Sequence, residues 1–437
     1  MNVLKNKVYI FYWLVFTILT GRLLFFTHTY AVDLFVKEQW HYLFPTIEGA
    51  SFIDGFMARI GPHRIGLGYL FYNPVLRLSD FNNRPIAFMV SAFIIVNALL
   101  FTRLKIRFTG HLYWTDIIIP LGFFTLHQHA IILDNSNLGI HVLIFFLALI
   151  ITSLLSSGLK SWKFLLLNLL IPLITVTGNG FFLVAALLGF SILALLKSKR
   201  FRTWWVFTAI WSAINLWFYT AILSADYPMD CALSETQPLI YYVSFVKGLV
   251  LNGLSIIHQN SLISWALFLL FTIAAIVSIT KKISIPTSVE RLAPLLIIGY
   301  VILFVAAAVL GRWCYGLEIV NSSRYVPQLI LAFLTFLLLA DSGTYRNFKN
   351  VLYAFALLFF FAYAEVKFYR YYLTIVEENY HNKLEWKACY LKNNTIETCS
   401  EKVGYSPTPL PIAKKIDLEK RLELLKKVNP TFKTELK

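Results

Sequence analysis

The feature that most limits how this chain can fold is the recurrence of apolar runs about 15 to 20 residues long, the length that spans a hydrocarbon core. Eleven follow one another: Val8–Phe26, Ile86–Phe101, Trp114–Leu133, Gly139–Leu155, Phe164–Val176, Phe181–Leu196, Trp204–Leu223, Leu262–Ile279, Leu292–Leu310, Val326–Leu339 and Val351–Val366. In a chain of 437 residues that is 58% hydrophobic and 14% charged, they predict an all-α polytopic membrane protein of about 11 transmembrane helices. The strict apolar and polar alternation of a membrane barrel is absent. The first run is too long for a secretory h-region, and no small-x-small cleavage site follows it. It is therefore read as a retained helix.

Lysine and arginine set the orientation. Lys5, Lys7, Arg103, Lys105, Arg107, Lys160, Lys163, Lys197, Lys199, Arg200, Arg202, Lys281, Lys282, Arg291, Arg346 and Lys349 fall in alternate short loops, which puts them and the N-terminus in the cytoplasm. The net charge of +16 reports this anchoring, and no stacking platform or basic arm points to nucleic acid. The opposite side then carries residues 27–85, whose ionisable stretch is Asp33–Arg84 and which we expect to hold interfacial helices. It also carries Asp134–Asn137, Thr177–Gly180, Ser224–Asn260, Gly311–Tyr325 and everything after Lys367. Pro238–Ile257 is apolar enough to cross. Crossing would expose Lys281 and Lys282 outside, so an interfacial or re-entrant helix is expected.

Cys231, Cys314, Cys389 and Cys399 all fall on the outer side, where an oxidising compartment permits a local Cys389–Cys399 bond and a Cys231–Cys314 bond. Residues 1–369 form the expected membrane domain and 370–437 a soluble tail that packs on it. The tail holds thirteen Lys/Arg and nine Asp/Glu. Ile416–Lys427 should form an amphipathic helix after a linker stretched by Pro407, Pro409 and Pro411.

Phosphate loops, dinucleotide fingerprints, HExxH and CxxC motifs are absent, so neither a soluble nucleotide nor a classical zinc site is indicated. Chemistry is expected where acids, histidine and arginine gather at the outer surface. Asp33, just past the first span, is the candidate catalytic base. Glu38, Glu48 and Asp54 alternatively hold a divalent ion, the one cofactor left open. His63 and Arg64, in Pro62-His63-Arg64, and Arg324, in Ser322-Ser323-Arg324-Tyr325, suit a phosphate, because guanidinium is a planar, permanently charged fork. Asn179 in Gly178-Asn179-Gly180 offers a donor and an acceptor where glycine permits close approach, although a tight turn needs the same residues. Arg312, Trp313 and Tyr315 add charge and a sugar-stacking surface, or else an interfacial belt, and Glu38, Asp54 and Tyr325 are further candidate substrate contacts. His127, His129 and His141 flank Asp134 at no recognisable metal spacing.

With these pieces in place, the chain resembles the GT-C class of membrane glycosyltransferases. The resemblance rests on the many spans, the long first outer loop with an acid just after the first span, and the later outer arginines. Pro62-His63-Arg64, Gly178-Asn179-Gly180 and Ser322-Ser323-Arg324-Tyr325 are similar to motifs of bacterial envelope proteins of this type. The resemblance implies transfer of a sugar from a polyprenyl-phosphate donor to an envelope glycan, lipid or protein at the periplasmic face of the inner membrane. Asp33 would serve the acceptor, and Arg64 and Arg324 the departing lipid phosphate. Asp33 is followed by Leu34, so the Asp-Glu pair of the protein O-mannosyltransferases is missing, which weakens a protein acceptor. A flippase of lipid-linked sugar and an O-antigen-type polymerase are the alternatives. The flippase would place its ionisable groups at mid-membrane.

Overall fold

In the computed structural model the described residues are 2–36, 39–60, 63–134, 138–223, 231, 237–254, 261–284, 288–340, 348–393, 395–407 and 418–434. They are almost wholly helical: α1 (Asn2–Tyr30), α2 (Gln39–Ile47), α3 (Phe52–Met57), a two-stranded hairpin of β1 (Arg59–Ile60) and β2 (His63–Arg64), α4 (Leu67–Leu78) and α5 (Arg84–Thr109). Next come α6 (Ile118–Phe123), α7 (His129–Leu133), α8 (Leu143–Ser156), α9 (Ser161–Thr175), α10 (Gly180–Lys197), α11 (Arg202–Phe218), α12 (Leu239–Gly253) and α13 (Leu262–Ser284). The chain ends with α14 (Val289–Leu292), α15 (Pro294–Arg312), α16 (Val326–Ala340), α17 (Phe348–Lys367), α18 (Leu373–Asn393), α19 (Ile396–Val403), α20 (Leu418–Val428) and α21 (Pro430–Thr434).

Among the described residues, eight helical stretches are long and apolar enough to cross a membrane, which makes this a multi-pass membrane protein. Two of the expected spans fall on shorter apolar helices, Ser161–Thr175 and Ser323–Leu339. Fifteen helical residues rise about 22 Å, less than a hydrocarbon core. Span ends follow local chemistry: α5 opens with proline in its first turn and closes on Gly110 at φ 81°. Lys163 caps the end of α8 by donating to the carbonyls of Leu154 (3.1 Å), Ser157 (3.0 Å) and Gly158 (2.6 Å), as a cation at a helix C-terminus should.

The spans carry ionised pairs that the apolar pattern hides. Lys105 and Asp116 lie 3.6 Å apart with both side chains fully buried. Arg22 of α1 binds Glu365 of α17 and also donates to the Phe124 carbonyl (2.7 Å), while Glu365 accepts the Leu126 N–H (3.2 Å). Such pairs fix helix register where lipid gives none. α12 is tied at both ends to the connection between α15 and α16. Near its start Tyr241 donates to the Trp313 carbonyl (2.8 Å), and at its end Asn252 donates to those of Val320 (2.7 Å) and Ser322 (2.9 Å). Both ends thus rest on one short segment.

Both expected disulfides are present, Cys231–Cys314 and Cys389–Cys399. The tail has a core of Trp386, Tyr390, Ile396, Leu418, Leu422, Leu425 and Phe432. The amphipathic helix forms as α20, starting at Leu418, whereas Pro409 and Pro411 lie outside the described residues.

Candidate functional site

The segment between α1 and α5 delivers its arginines on the β hairpin. Register pairs Arg59 with Arg64 and Ile60 with His63, so the two arginines are direct cross-strand partners. Like charges opposite one another are unfavourable, which makes the hairpin a poor device for stability alone. Burial and then Arg59 draw the Arg64 guanidinium below its usual pKa, and Tyr219 stands within electrostatic reach of both. Arg64 also donates to the Met57 carbonyl at 2.7 Å.

Glycines lock this hairpin to two other segments. Gly178 at φ +48° packs against the Gly139 carbonyl and Ile140, and an added Cβ would stand 2.4 Å from that oxygen. Its N–H donates to the Arg64 carbonyl (2.9 Å), the Asn179 N–H to that of Ile140 (3.3 Å), and the Leu67 N–H to Thr177 Oγ1 (2.9 Å). The Gly178-Asn179-Gly180 turn therefore serves close backbone packing. Its glycines approach protein, and the Asn179 side chain reaches inward, 3.0 Å from His141 Nδ1.

Around that turn the expected phosphate-binding residues meet. Gln328 donates to the carbonyls of Arg324 and Tyr325 (3.0 Å each) and accepts from His141 Nδ1, which leaves Nε2 as the acceptor nitrogen. His141 lies within electrostatic reach of His63 and Arg324, and His63 of Arg312. Burial foremost, then Arg312, lowers the His63 pKa to about 4 against a hydrogen bond with the Gly178 backbone, so the ring is neutral at pH 7. Tyr325 lies within electrostatic reach of Arg312 and Arg324, and its ring packs on Phe304 at 6.1 Å. Arg324 is bound to Asp134, Nη2 to Oδ2 at 2.8 Å, with side chains 34% and 16% exposed. Gln39 donates to the other Asp134 oxygen at 3.4 Å. Tyr405 of the tail approaches the same carboxylate. Burial first, then Asp134, raises the phenol pKa.

Several candidates stand elsewhere. Asp33 was expected to face an acceptor, but its carboxylate is buried and engaged within the protein. Oδ1 accepts the Asn83 N–H (2.9 Å), Asn429 donates to both oxygens (3.3 and 3.0 Å), and Thr431 (3.1 Å) and Lys387 (3.8 Å) meet Oδ2. Trp313 is no sugar platform. Its ring is buried, with Tyr242 at 6.3 Å, while Arg312 lies 5.5 Å from the more exposed Tyr315 ring. Asp54 closes a cap with Ser51, whose hydroxyl donates to it at 2.6 Å. Glu38 and Pro62 lie outside the described residues. Among the described residues no group of three or more His, Cys, Asp or Glu side chains is placed to hold a metal ion.

The arrangement therefore assembles Arg59, Arg64, Arg312 and Arg324 with two histidines, Asn179, Tyr325 and one partly accessible carboxylate. It can bind an anion through several guanidinium groups and offer Asp134 to a hydroxyl beside it. Asp134, Gln328 and Gln39 were missed as site residues, since each is a lone polar residue with no motif around it. Comparison with protein-family models, characterised proteins and solved structures returns no match to this chain.

Proposed function

We propose that the chain is a membrane glycosyltransferase that takes a sugar from a polyprenyl-phosphate donor at the periplasmic face of a bacterial inner membrane and passes it to an envelope acceptor. The observation that carries this reading is that two pairs of arginines, Arg59 and Arg64 on the hairpin and Arg312 and Arg324 on the segment before α16, gather around His63 and His141, with Arg324 bound to Asp134. In this reading Arg64, Arg312 and Arg324 hold the donor phosphate, beside a neutral His63 whose one N–H is engaged with the Gly178 backbone. Asp134 takes the proton of the acceptor hydroxyl as the acceptor oxygen bonds to the anomeric carbon. The anomeric carbon–oxygen bond breaks, and polyprenyl phosphate departs with the electron pair, its charge met by the guanidinium groups. Asp134 replaces Asp33 as the proposed base, because the oxygens of Asp33 are taken up by Asn83, Asn429, Thr431 and Lys387.

The test is transfer of radiolabelled sugar from a panel of polyprenyl-phosphate donors to envelope extract by purified protein in nanodiscs. Asp134→Asn should lower the rate by about 10²-fold or more, and Arg324→Ala should abolish donor use. If no donor is consumed and the lipid-linked sugar crosses vesicles instead, the protein is a flippase and the transferase reading fails.

A further inference from the structure

Asp33 and Asp134 belong to one polar network. Its links are directional and mostly buried. Asp33 Oδ1 accepts the Asn83 N–H (2.9 Å), Asn83 Nδ2 donates to Gln39 Oε1 (3.0 Å), and Gln39 Nε2 donates to Asp134 Oδ1 (3.4 Å). The Val36 N–H also donates to Gln39 Oε1 (3.0 Å), which fixes which end of that amide faces Asp134. Asp33, Gln39 and Asn83 are at most 3% exposed. A second connection runs through the tail. Lys387, Asn429 and Thr431 converge on Asp33, Asn82 donates to Thr431 (2.9 Å), and Trp40 donates to the Pro407 carbonyl (3.3 Å). Two residues before Pro407, Tyr405 stands in the field of Asp134.

We infer that Asp33 is a positioning residue. It locks the C-terminal segment onto the first outer loop and, through Asn83 and Gln39, orients the Asp134 carboxylate, so that loop and tail close the site together. A buried Lys–Asp pair is a weak source of stability compared with apolar packing, but it specifies one docking arrangement. That is what a residue holding both ends of the relay must do. The catalytic consequence rests on the transferase reading; the docking of the tail does not.

The experiment uses full-length protein in nanodiscs carrying Ser406→Cys as a reporter for a membrane-impermeant maleimide. In this background Asn429→Ala should raise the labelling rate at least tenfold (~10-fold) by releasing the tail, and undecaprenyl phosphate should slow labelling in the parent. Gln39→Met should leave labelling at the parent rate and lower kcat by about 10²-fold with donor KM unchanged, since it disturbs aim and not binding. Parental labelling in Asn429→Ala would overturn the Asp33 lock, and, with donor consumed, labelling indifferent to undecaprenyl phosphate or a Gln39→Met effect confined to KM would overturn the closing and aiming of the site. If no donor is consumed at all, faster labelling in Asn429→Ala still upholds the Asp33 lock, and the transferase reading alone falls.

Discussion

Two guanidinium groups side by side on a two-residue ladder repel each other, and a turn at positive φ wedged between two backbones tolerates no side chain. The site is built from both. Gly178→Ala would force a left-handed backbone on alanine and drive its Cβ to 2.4 Å from the Gly139 oxygen. We expect a loss of about 2–3 kcal/mol, read as a lower midpoint of thermal unfolding in detergent. Gly189→Ala, in α10 with nothing within 4 Å of the new Cβ, should be neutral or stabilising by up to about 1 kcal/mol. His63 supplies a pH signature. Its folded pKa is lowered to about 4, so between that value and the ordinary 6.5 the unfolded chain binds the proton that the folded chain refuses. Its share of stability is complete above about pH 6.5 and is lost as the pH falls toward 4. Thermal midpoints of the wild type should therefore drop more steeply between pH 7 and about 4.5 than those of His63→Gln; equal slopes would refute the assignment. His63, Arg64, Asn179, Arg312, Arg324 and Tyr325 were legible because charged or amide groups stand out in apolar sequence. The burial of Asp33 was not, because its partners Asn429 and Thr431 lie 396 and 398 residues away.

At the scale of elements, the hairpin and the Thr177–Gly180 turn come together because backbone hydrogen bonds and glycine contacts fasten them, and the Arg312–Tyr325 segment joins them through side chains, Gln328 bonding its last carbonyls and His141, which Asn179 also meets. The Cys231–Cys314 bond fixes the third of these beside Arg312, and Cys314 N–H also approaches Cys231 Sγ (3.1 Å). Charge bookkeeping along the sequence favoured a helix that stays on one face at Pro238–Ile257, and the contacts of α12 with Trp313, Val320 and Ser322 agree with that choice. Composition alone leaves the matter open, since the helix is as apolar as its neighbours. Single cysteines at Gln237 and Ser261, which flank α12, should both react with an impermeant maleimide from the same side of sealed vesicles. Labelling from opposite sides would show that α12 crosses, and would reverse the orientation of every span after it. The pair Arg22–Glu365 illustrates what hydropathy conceals: each residue looked like a cost within a span until its partner, far along the chain, was in view.

For the whole molecule, the positive-inside pattern and the site make one joint demand. Lysines that flank spans, such as Lys163 and Lys197, hydrogen-bond to carbonyls at the ends of neighbouring helices, Ser157 after α8 and Ile283 in the last turn of α13, which leaves their charge near the water layer, where the positive-inside rule retains it. Arg312 and Arg324 lie at helix ends of the other set and Arg59 and Arg64 on the hairpin; Arg324 binds Asp134, Asp134 accepts from Gln39 of the first loop, and Trp40 of that loop donates to Pro407 of the tail. One orientation must therefore satisfy both sets at once. In right-side-out vesicles, Ser406→Cys in the tail and Gln237→Cys should react with an impermeant maleimide, whereas Thr203→Cys, in the lysine- and arginine-rich turn that opens α11, should react only after permeabilisation. The converse pattern would place the arginine cluster in the cytoplasm. A donor displayed outside could not then reach it, and the proposed glycosyl transfer would have to give way to a reaction fed from the cytosol.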